Sequence, residues 1–386
     1  MSDKNKIKKT FDDLEDKLEQ VGQSLENTFE KLEKKFEKLD ERLSGRRIER
    51  LERVYEGDET PEDIILELKG LKKYFERPKS DTMNRDVIRA VDGVDLRIVR
   101  GETLGIVGES GCGKSTVARC MIGLIQPTAG NVMLYGKNIE EGNKQTRREL
   151  RHHTGIIFQD PYGSMNPRMS VGEIVSEPLR AIGKTYNNDK KAGKKERLLA
   201  AMNILESCGL QADDLFKYPH QFSGGQRQRI CIARALIAEP DLVVCDEAVS
   251  ALDVSIQAQI INLFVEMREA RELTYAFISH DLEVVRFIAD RVAVMYLGKI
   301  VEMARKDELF ANPRHPYTIM LLESAPVFGG TAIDADLSED PELSAQELKT
   351  GCRFRNRCTK AKPDCAIIDP ELKQVGKSHV LACIQM

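Results

Sequence analysis

Residues 108–116 read GESGCGKST, a match to the pattern G-x-x-x-x-G-K-[ST]. The pattern constrains the fold because it needs a tight turn between a strand and a helix. The chain supplies both flanks: Thr103 to Val107 is a short apolar, β-prone run, and Val117 to Leu124 has helical character. Gly108, Gly111 and Gly113 let the backbone bend so that successive N–H groups converge at the positive end of the following helix. Lys114 adds a charge suited to β- and γ-phosphates, and Ser115 a hydroxyl suited to Mg²⁺. Glu109, Ser110, Cys112 and Thr116 complete the loop. The segment predicts a bound nucleoside triphosphate.

The surrounding pattern is that of an α/β protein. Residues 62–107 alternate apolar stretches with turn signals and read as strands. Residues 165–220 are richer in helical pattern. From 229 to 310, apolar strands such as LVVCDE and TYAFISHD alternate with helices, which indicates a sheet with crossover connections. The strand Leu242 to Cys245 ends in Asp246 and Glu247, at the strand end where open α/β sheets bind ligands. Asp246 suits a Mg²⁺ contact. Glu247 suits a general base that polarises an attacking water.

Residues 1–57 differ from the rest. Apolar positions recur every three or four residues from Phe11 to Leu43 between charges of mixed sign, are interrupted near Ser44-Gly45, and resume through Ile48, Leu51 and Tyr55. This predicts an amphipathic, coiled-coil-like helix suited to docking on a protein partner. The 386 residues carry a net charge of -4, so no global basic field points to nucleic acid. The start lacks the apolar core of a secretory signal, and no run of about 18 apolar residues is present to span a bilayer. The expected compartment is cytosolic, where the nine cysteines are reduced rather than paired. Cys231 and Cys245 sit in core-like patterns, whereas Cys112, inside the phosphate loop, is a candidate for alkylation-sensitive activity.

Several further segments occur in a set order. Phe222-Ser223-Gly224-Gly225-Gln226 matches the signature LSGGQ with Phe for Leu, Gln159 lies in FQDP, Ser250-Ala251-Leu252-Asp253 follows Glu247, His280 follows a strand, and Tyr74 precedes the phosphate loop. Together these resemble an ATP-binding-cassette (ABC) ATPase over about residues 62–310. The resemblance implies a P-loop nucleotide-binding domain with a mixed sheet and a helical subdomain at about 160–228. It further implies that Tyr74 stacks on adenine, that Gln159 contacts Mg²⁺ or the water, that His280 holds the γ-phosphate, and that Ser223, Gly224, Gly225 and Gln226 with Asp253 serve ATP bound by a second, head-to-tail ATPase subunit. Where the family has Asp-Glu-Pro-Thr-Ser, this chain has Asp246-Glu247-Ala248-Val249-Ser250. The carboxylates remain, so a hydrolytic site is expected.

Segments 158–178 and NPRHPYT at 312–318, with the cysteine-rich end of region 311–386, resemble the F-type ATPases of oligopeptide and dipeptide importers. That branch implies two separate transmembrane permease subunits, an extracytoplasmic solute-binding protein, and a peripheral place on the cytoplasmic face of the membrane. Alternatives are an importer of another solute, such as nickel or a sugar, or a soluble ABC ATPase. Cys352, Cys358, Cys365 and Cys383 have the spacing C-x5-C-x6-C-x17-C. Four thiolates suit a [4Fe–4S] cluster or zinc, with His379 a possible fourth zinc ligand, or remain unmetallated. The absence of a close C-x2-C favours the cluster over zinc.

Overall fold

The computed structural model describes residues 45, 47–56, 59–78, 85–141, 152–182, 193–324 and 350–385. Two sheets stack around a shared interior. The smaller has the order β2-β1-β4-β5, with β1 at Ile64–Pro78, β2 at Arg85–Val99, β4 at Ala129–Leu134 and β5 at Lys137–Asn138. β1 and β2 run antiparallel along their length, from Ile64 opposite Val99 to Pro78 opposite Arg85.

The larger sheet contains β3 (Thr103–Val107), β6 (Thr154–Ile157), β7 (Leu242–Asp246), β8 (Thr274–Ile278) and β9 (Arg291–Tyr296), all parallel. β10 (Lys299–Arg305), β11 (Lys373–Gly376) and β12 (His379–Leu381) extend it antiparallel, giving the order β11-β12-β10-β9-β3-β8-β7-β6. Strands covered on both faces read as unbroken apolar runs, and β3, β7 and β8 are buried at every position. Their side chains still divide by alternation. Leu104, Ile106, Val244 and Ile278 join the core shared with the small sheet. Val107, Val243, Tyr275 and Phe277 join the core under the helices. Gly105 permits that second packing, because a Cβ there would lie 2.5 Å from Val285 Cγ1.

A helical layer of Val171–Ile182, Lys194–Ser207 and Gly224–Leu236 packs into the second core. The α/β expectation is met. Most of the N-terminal coiled-coil expectation falls at 1–44, outside the described residues. Only its last segment is described, as a helix over 47–55. Leu51, Val54 and Tyr55 pack there on Val99, each apolar burial contributing about 1.5–3 kcal/mol. Arg47 donates to Gly101 O at 2.6 Å and reaches both Asp290 carboxylate oxygens. Ile48, expected on the apolar face, is 50% exposed. The buried stripe is rotated toward Arg47 and Val54 because the ion pair with Asp290 fixes the helix on the sheet.

Candidate active site

Four parallel strands end on one side of the large sheet, and each delivers one part of the site. β3 leads into the phosphate loop. Gly113, at φ 107, forms the N-cap of the helix Lys114–Met121. It cannot carry a side chain, since a Cβ would fall 2.1 Å from Ala90 O. Gly108 is equally confined, 2.1 Å from Met295 O. Lys114 Nζ donates to the carbonyls of Gly108 and Glu109 at 2.7 and 2.8 Å. A buried ammonium is thereby held against the loop that the glycines shape. Ser110 and Gly111 are exposed, and Ser115 and Thr116 are half-buried.

β7 contributes the two carboxylates, which go to different partners. Asp246, 2% exposed, accepts a hydrogen bond from Ser115 Oγ at 2.7 Å. Burial pushes the Asp246 carboxyl up, while the Ser115 hydroxyl and the Arg119 and Lys114 charges pull it down. Glu247 takes a left-handed conformation, φ 50, with its N–H bonded to Ile278 O at 3.0 Å. That turn ends the strand and directs Glu247 to other elements. Gln159, beyond β6, donates from Nε2 to Glu247 Oε2 at 2.9 Å. His280, beyond β8, places Nδ1 3.3 Å from the same oxygen. Ala248 and Val249, which replace Pro and Thr of the family pattern, are buried and 3% and 2% exposed. The carboxylate geometry stands without the proline. Paired oxygens on Ser115 and Asp246 suit Mg²⁺ bound to phosphate, and a carboxylate steadied by two neighbours suits proton acceptance from water.

Tyr74 lies on β1, with the Arg89 guanidinium 5.7 Å from its ring centre. Its hydroxyl donates to Asp92 Oδ1 at 2.5 Å. Burial and Asp92 push that hydroxyl up to about 12. Ser223 caps the helix Gly224–Leu236: its Oγ accepts from Gln226 N, and Gln226 Oε1 accepts from Ser223 N at 3.0 Å. Gly225 lies against the next helix, where a Cβ would be 2.6 Å from Ile256 Cγ2. Asp253 is exposed at the start of the helix Val254–Arg271. Among the described residues no hydrogen bond or ion pair joins Ser223–Gln226 or Asp253 to the phosphate loop. The structure thus brings together Lys114, Ser115, Gln159, Asp246, Glu247 and His280, and leaves the signature segment apart.

Three sequence expectations are corrected. Cys112 is 3% exposed and burial raises its thiol, so the loop cysteine is shielded rather than poised for alkylation. His379 is not available as a zinc ligand: it is 1% exposed, with Nε2 on Glu302 Oε1 at 2.7 Å and Nδ1 3.5 Å from Glu308. Cys352, Cys358, Cys365 and Cys383 do line one cavity of about 80 Å³. Among the described residues, however, no three or more His, Cys, Asp or Glu side chains are arranged to hold a metal ion. The expected [4Fe–4S] cluster is therefore not supported by the side-chain arrangement. Sequence reasoning also missed Arg357 and Tyr317, which contact the phosphate loop at Glu109, and Arg353, which holds Asp92 beside Tyr74. The alternation of cysteine and arginine in CRFRNRC was the only local signal for the two arginines, while Tyr317 lies in the NPRHPYT segment.

Residues 91–250 match the family described as ABC transporter, and residues 301–365 match the family described as Oligopeptide/dipeptide transporter, C-terminal region. The oligopeptide transport ATP-binding protein AppF of Bacillus subtilis is 47% identical over 328 residues, 83% of this chain and 97% of that protein. The oligopeptide transport ATP-binding protein OppF of Salmonella typhimurium is 44% identical, over 84% of this chain and 96% of its own length. The dipeptide transport ATP-binding protein DppF of Haemophilus influenzae is 42% identical, over 83% and 97%. Among solved structures, the dimeric post-hydrolysis state of the ATP-binding cassette MJ0796 with ADP and Pi superposes with a TM-score of 0.55 at 28% identity, covering 63% of this chain and 99% of that one. No helix of the described residues is long and apolar enough to cross a membrane.

Proposed function

Because this chain belongs to the oligopeptide and dipeptide transport ATP-binding proteins of the ABC transporter family, we propose that it is the ATP-hydrolysing subunit that energises peptide import through separate permease subunits. The observation that carries the reading is the meeting of Gln159 and His280 on Glu247 Oε2, beside the Ser115–Asp246 pair. In this reading the phosphate loop and Lys114 hold the ATP phosphates, and Tyr74 stacks on the adenine. Ser115, Asp246 and Gln159 would hold Mg²⁺, which would supply charge neutralisation to the phosphates. Glu247 accepts the proton of the attacking water, and His280 keeps that carboxylate aligned. Catalysis rests on positioning and charge more than on covalent chemistry.

Ser223, Gly224, Gly225, Gln226 and Asp253 serve the ATP of a second ATPase subunit in a head-to-tail pair. Support for this comes from the separation of the signature segment from the chain's own phosphate loop, and from the dimeric state of the similar MJ0796 cassette. Residues 62–310 form the ATPase unit, with a helical subdomain at about 160–228, and 311–386 the importer-type C-terminal region. The assembly sits at the cytoplasmic face of the membrane and receives peptide from an extracytoplasmic binding protein, while residues 1–57 dock a protein partner.

The test of the main reading is uptake into proteoliposomes holding the chain with its permeases and second ATPase subunit. ATP-dependent accumulation of di- or oligopeptide, lost with Glu247→Gln, is the expected result. Accumulation of nickel or a sugar without peptide would overturn the peptide assignment.

A further inference from the structure

One short loop of the C-terminal region holds two parts of the nucleotide site. Cys352 and Cys358 line the thiol cavity with Arg355, while Arg353 and Arg357 between them reach elsewhere. Arg357 Nη1 and Nη2 donate to Glu109 Oε2 and Oε1, each at 2.9 Å. This is a two-pronged pair on the second residue of the phosphate loop, across 248 positions of sequence. The Glu109 N–H donates to the Tyr317 hydroxyl at 2.9 Å. Tyr317 is fully buried, with ring centres 4.5 Å from Tyr296 and 5.4 Å from Phe354, the residue at the middle of the same loop. Arg353 donates to Leu297 O and to Asp92 Oδ2. Asp92 Oδ1 in turn accepts the Tyr74 hydroxyl.

A phosphate cradle depends on the direction of several N–H groups at once. A guanidinium bound through both prongs fixes orientation as well as distance, which an ammonium does not. The pair is also sheltered, with Arg357 and Glu109 side chains 21% and 18% exposed and Arg353 and Asp92 9% and 12%. Screening by solvent is correspondingly weak.

We infer that Arg357, acting through Glu109, and Arg353, acting through Asp92 and Tyr74, are positioning residues for ATP. The C-terminal region thereby sets the nucleotide affinity of the ATPase unit. The inference rests on the reading that residues 108–116 bind ATP, and the wild-type protein tests that separately.

The experiment measures equilibrium binding of a fluorescent ATP analogue to the full chain, with unlabelled ATP and inorganic tripolyphosphate as competitors, and steady-state hydrolysis. Arg357→Ala should weaken both competitors by about tenfold, as expected for loss of a charge-assisted, two-pronged contact. KM should rise with kcat held within about twofold, since the bound phosphates still meet Glu247. Arg357→Lys should recover only part of the affinity. Arg353→Lys should weaken ATP but not tripolyphosphate, because its path leads to the adenine side. Glu109→Gln keeps the volume of the side chain and should show the same loss as Arg357→Ala. Unchanged affinity in Glu109→Gln overturns the inference even if Arg357→Ala fails to fold. A wild-type chain that binds no ATP would instead remove the underlying reading.

Discussion

His280 Nδ1 lies 3.3 Å from Glu247 Oε2, although the two residues follow different strands. The contact exists because β7 and β8 are parallel neighbours in register from Leu242–Thr274 to Asp246–Ile278. Adjacent strand ends therefore present their next residues to one another. Gln159 completes the arrangement from β6, the neighbour on the other side of β7.

The first prediction concerns that carboxylate. Glu247→Gln keeps the shape and both neighbours but cannot accept a proton. Phosphate release should fall by about 10²–10⁴-fold, the range for loss of a general base, while ATP binding persists. Single-turnover phosphate release with filter-bound nucleotide checks it. Turnover at the wild-type rate would remove Glu247 from the base role.

Two glycines of one loop should respond unequally. Gly113→Ala places a methyl 2.1 Å from a backbone carbonyl at φ 107, whereas Gly111→Ala, at φ 78, meets nothing within 4 Å. The first must displace the loop, and the second carries only the left-handed conformational cost of about 1–2 kcal/mol. Titration with labelled ATP should show Gly113→Ala weakened by at least about tenfold more than Gly111→Ala. Equal losses would show that backbone conformation, not the close approach, controls the loop.

Acid should dissolve the anchor between the 47–55 helix and β1. Asp63 accepts from Arg53 and from the Thr60 hydroxyl and N–H. Burial raises its carboxyl, but these bonds outweigh burial and hold it below its ordinary value of 3.8. The unfolded chain then binds more protons in that window, so this stability is present above pH 3.8 and is lost as pH falls through the lower folded value. Asp63→Asn should cost about 1–3 kcal/mol at pH 7, with the gap to wild type narrowing at a pH below 3.8. Urea unfolding at the two pH values measures it, and a gap independent of pH would contradict it.

Thiol mapping gives a fourth outcome. Cys112 is buried with a raised thiol, while Cys358 and Cys383 are only partly covered. In chelator-treated native protein, mass spectrometry after N-ethylmaleimide should find Cys358 and Cys383 modified well before Cys112. Early loss of Cys112 would mean that the phosphate loop opens far more readily than its packing indicates.

The legible parts of the sequence were those whose signal is local. The glycine spacing of 108–116 and the apolar runs ending in Asp246 and Ser279 each carry their structural meaning within a few residues. Burial of Cys112 was not legible. A glycine-rich loop reads as exposed, yet Met295, far along the chain, closes over it near Gly108 and Gly113. The Arg357–Glu109 pair was invisible for the same reason, since nothing near either residue encodes its partner. Ile48 was misplaced because spacing defines a stripe but not its rotation, which Arg47 and Asp290 decide. The four cysteines were read as ligands converging on a [4Fe–4S] cluster; they share a cavity, but among the described residues no metal-holding arrangement forms, which spacing does not determine.

The short strand β12 bears on where the chain can be cut. It covers the outer edge of β10, with Leu381 opposite Glu302 and Val380 opposite Met303, and its His379 satisfies the buried Glu302 carboxylate. A fragment ending at residue 365, where the family match stops, would keep every element of the nucleotide site. It would also bare a row of unpaired amides and carbonyls beside a buried Glu302 carboxylate left with only the Arg314 and His315 N–H groups. Such an edge recruits strands from other chains, so a truncation that spares every catalytic group should still precipitate.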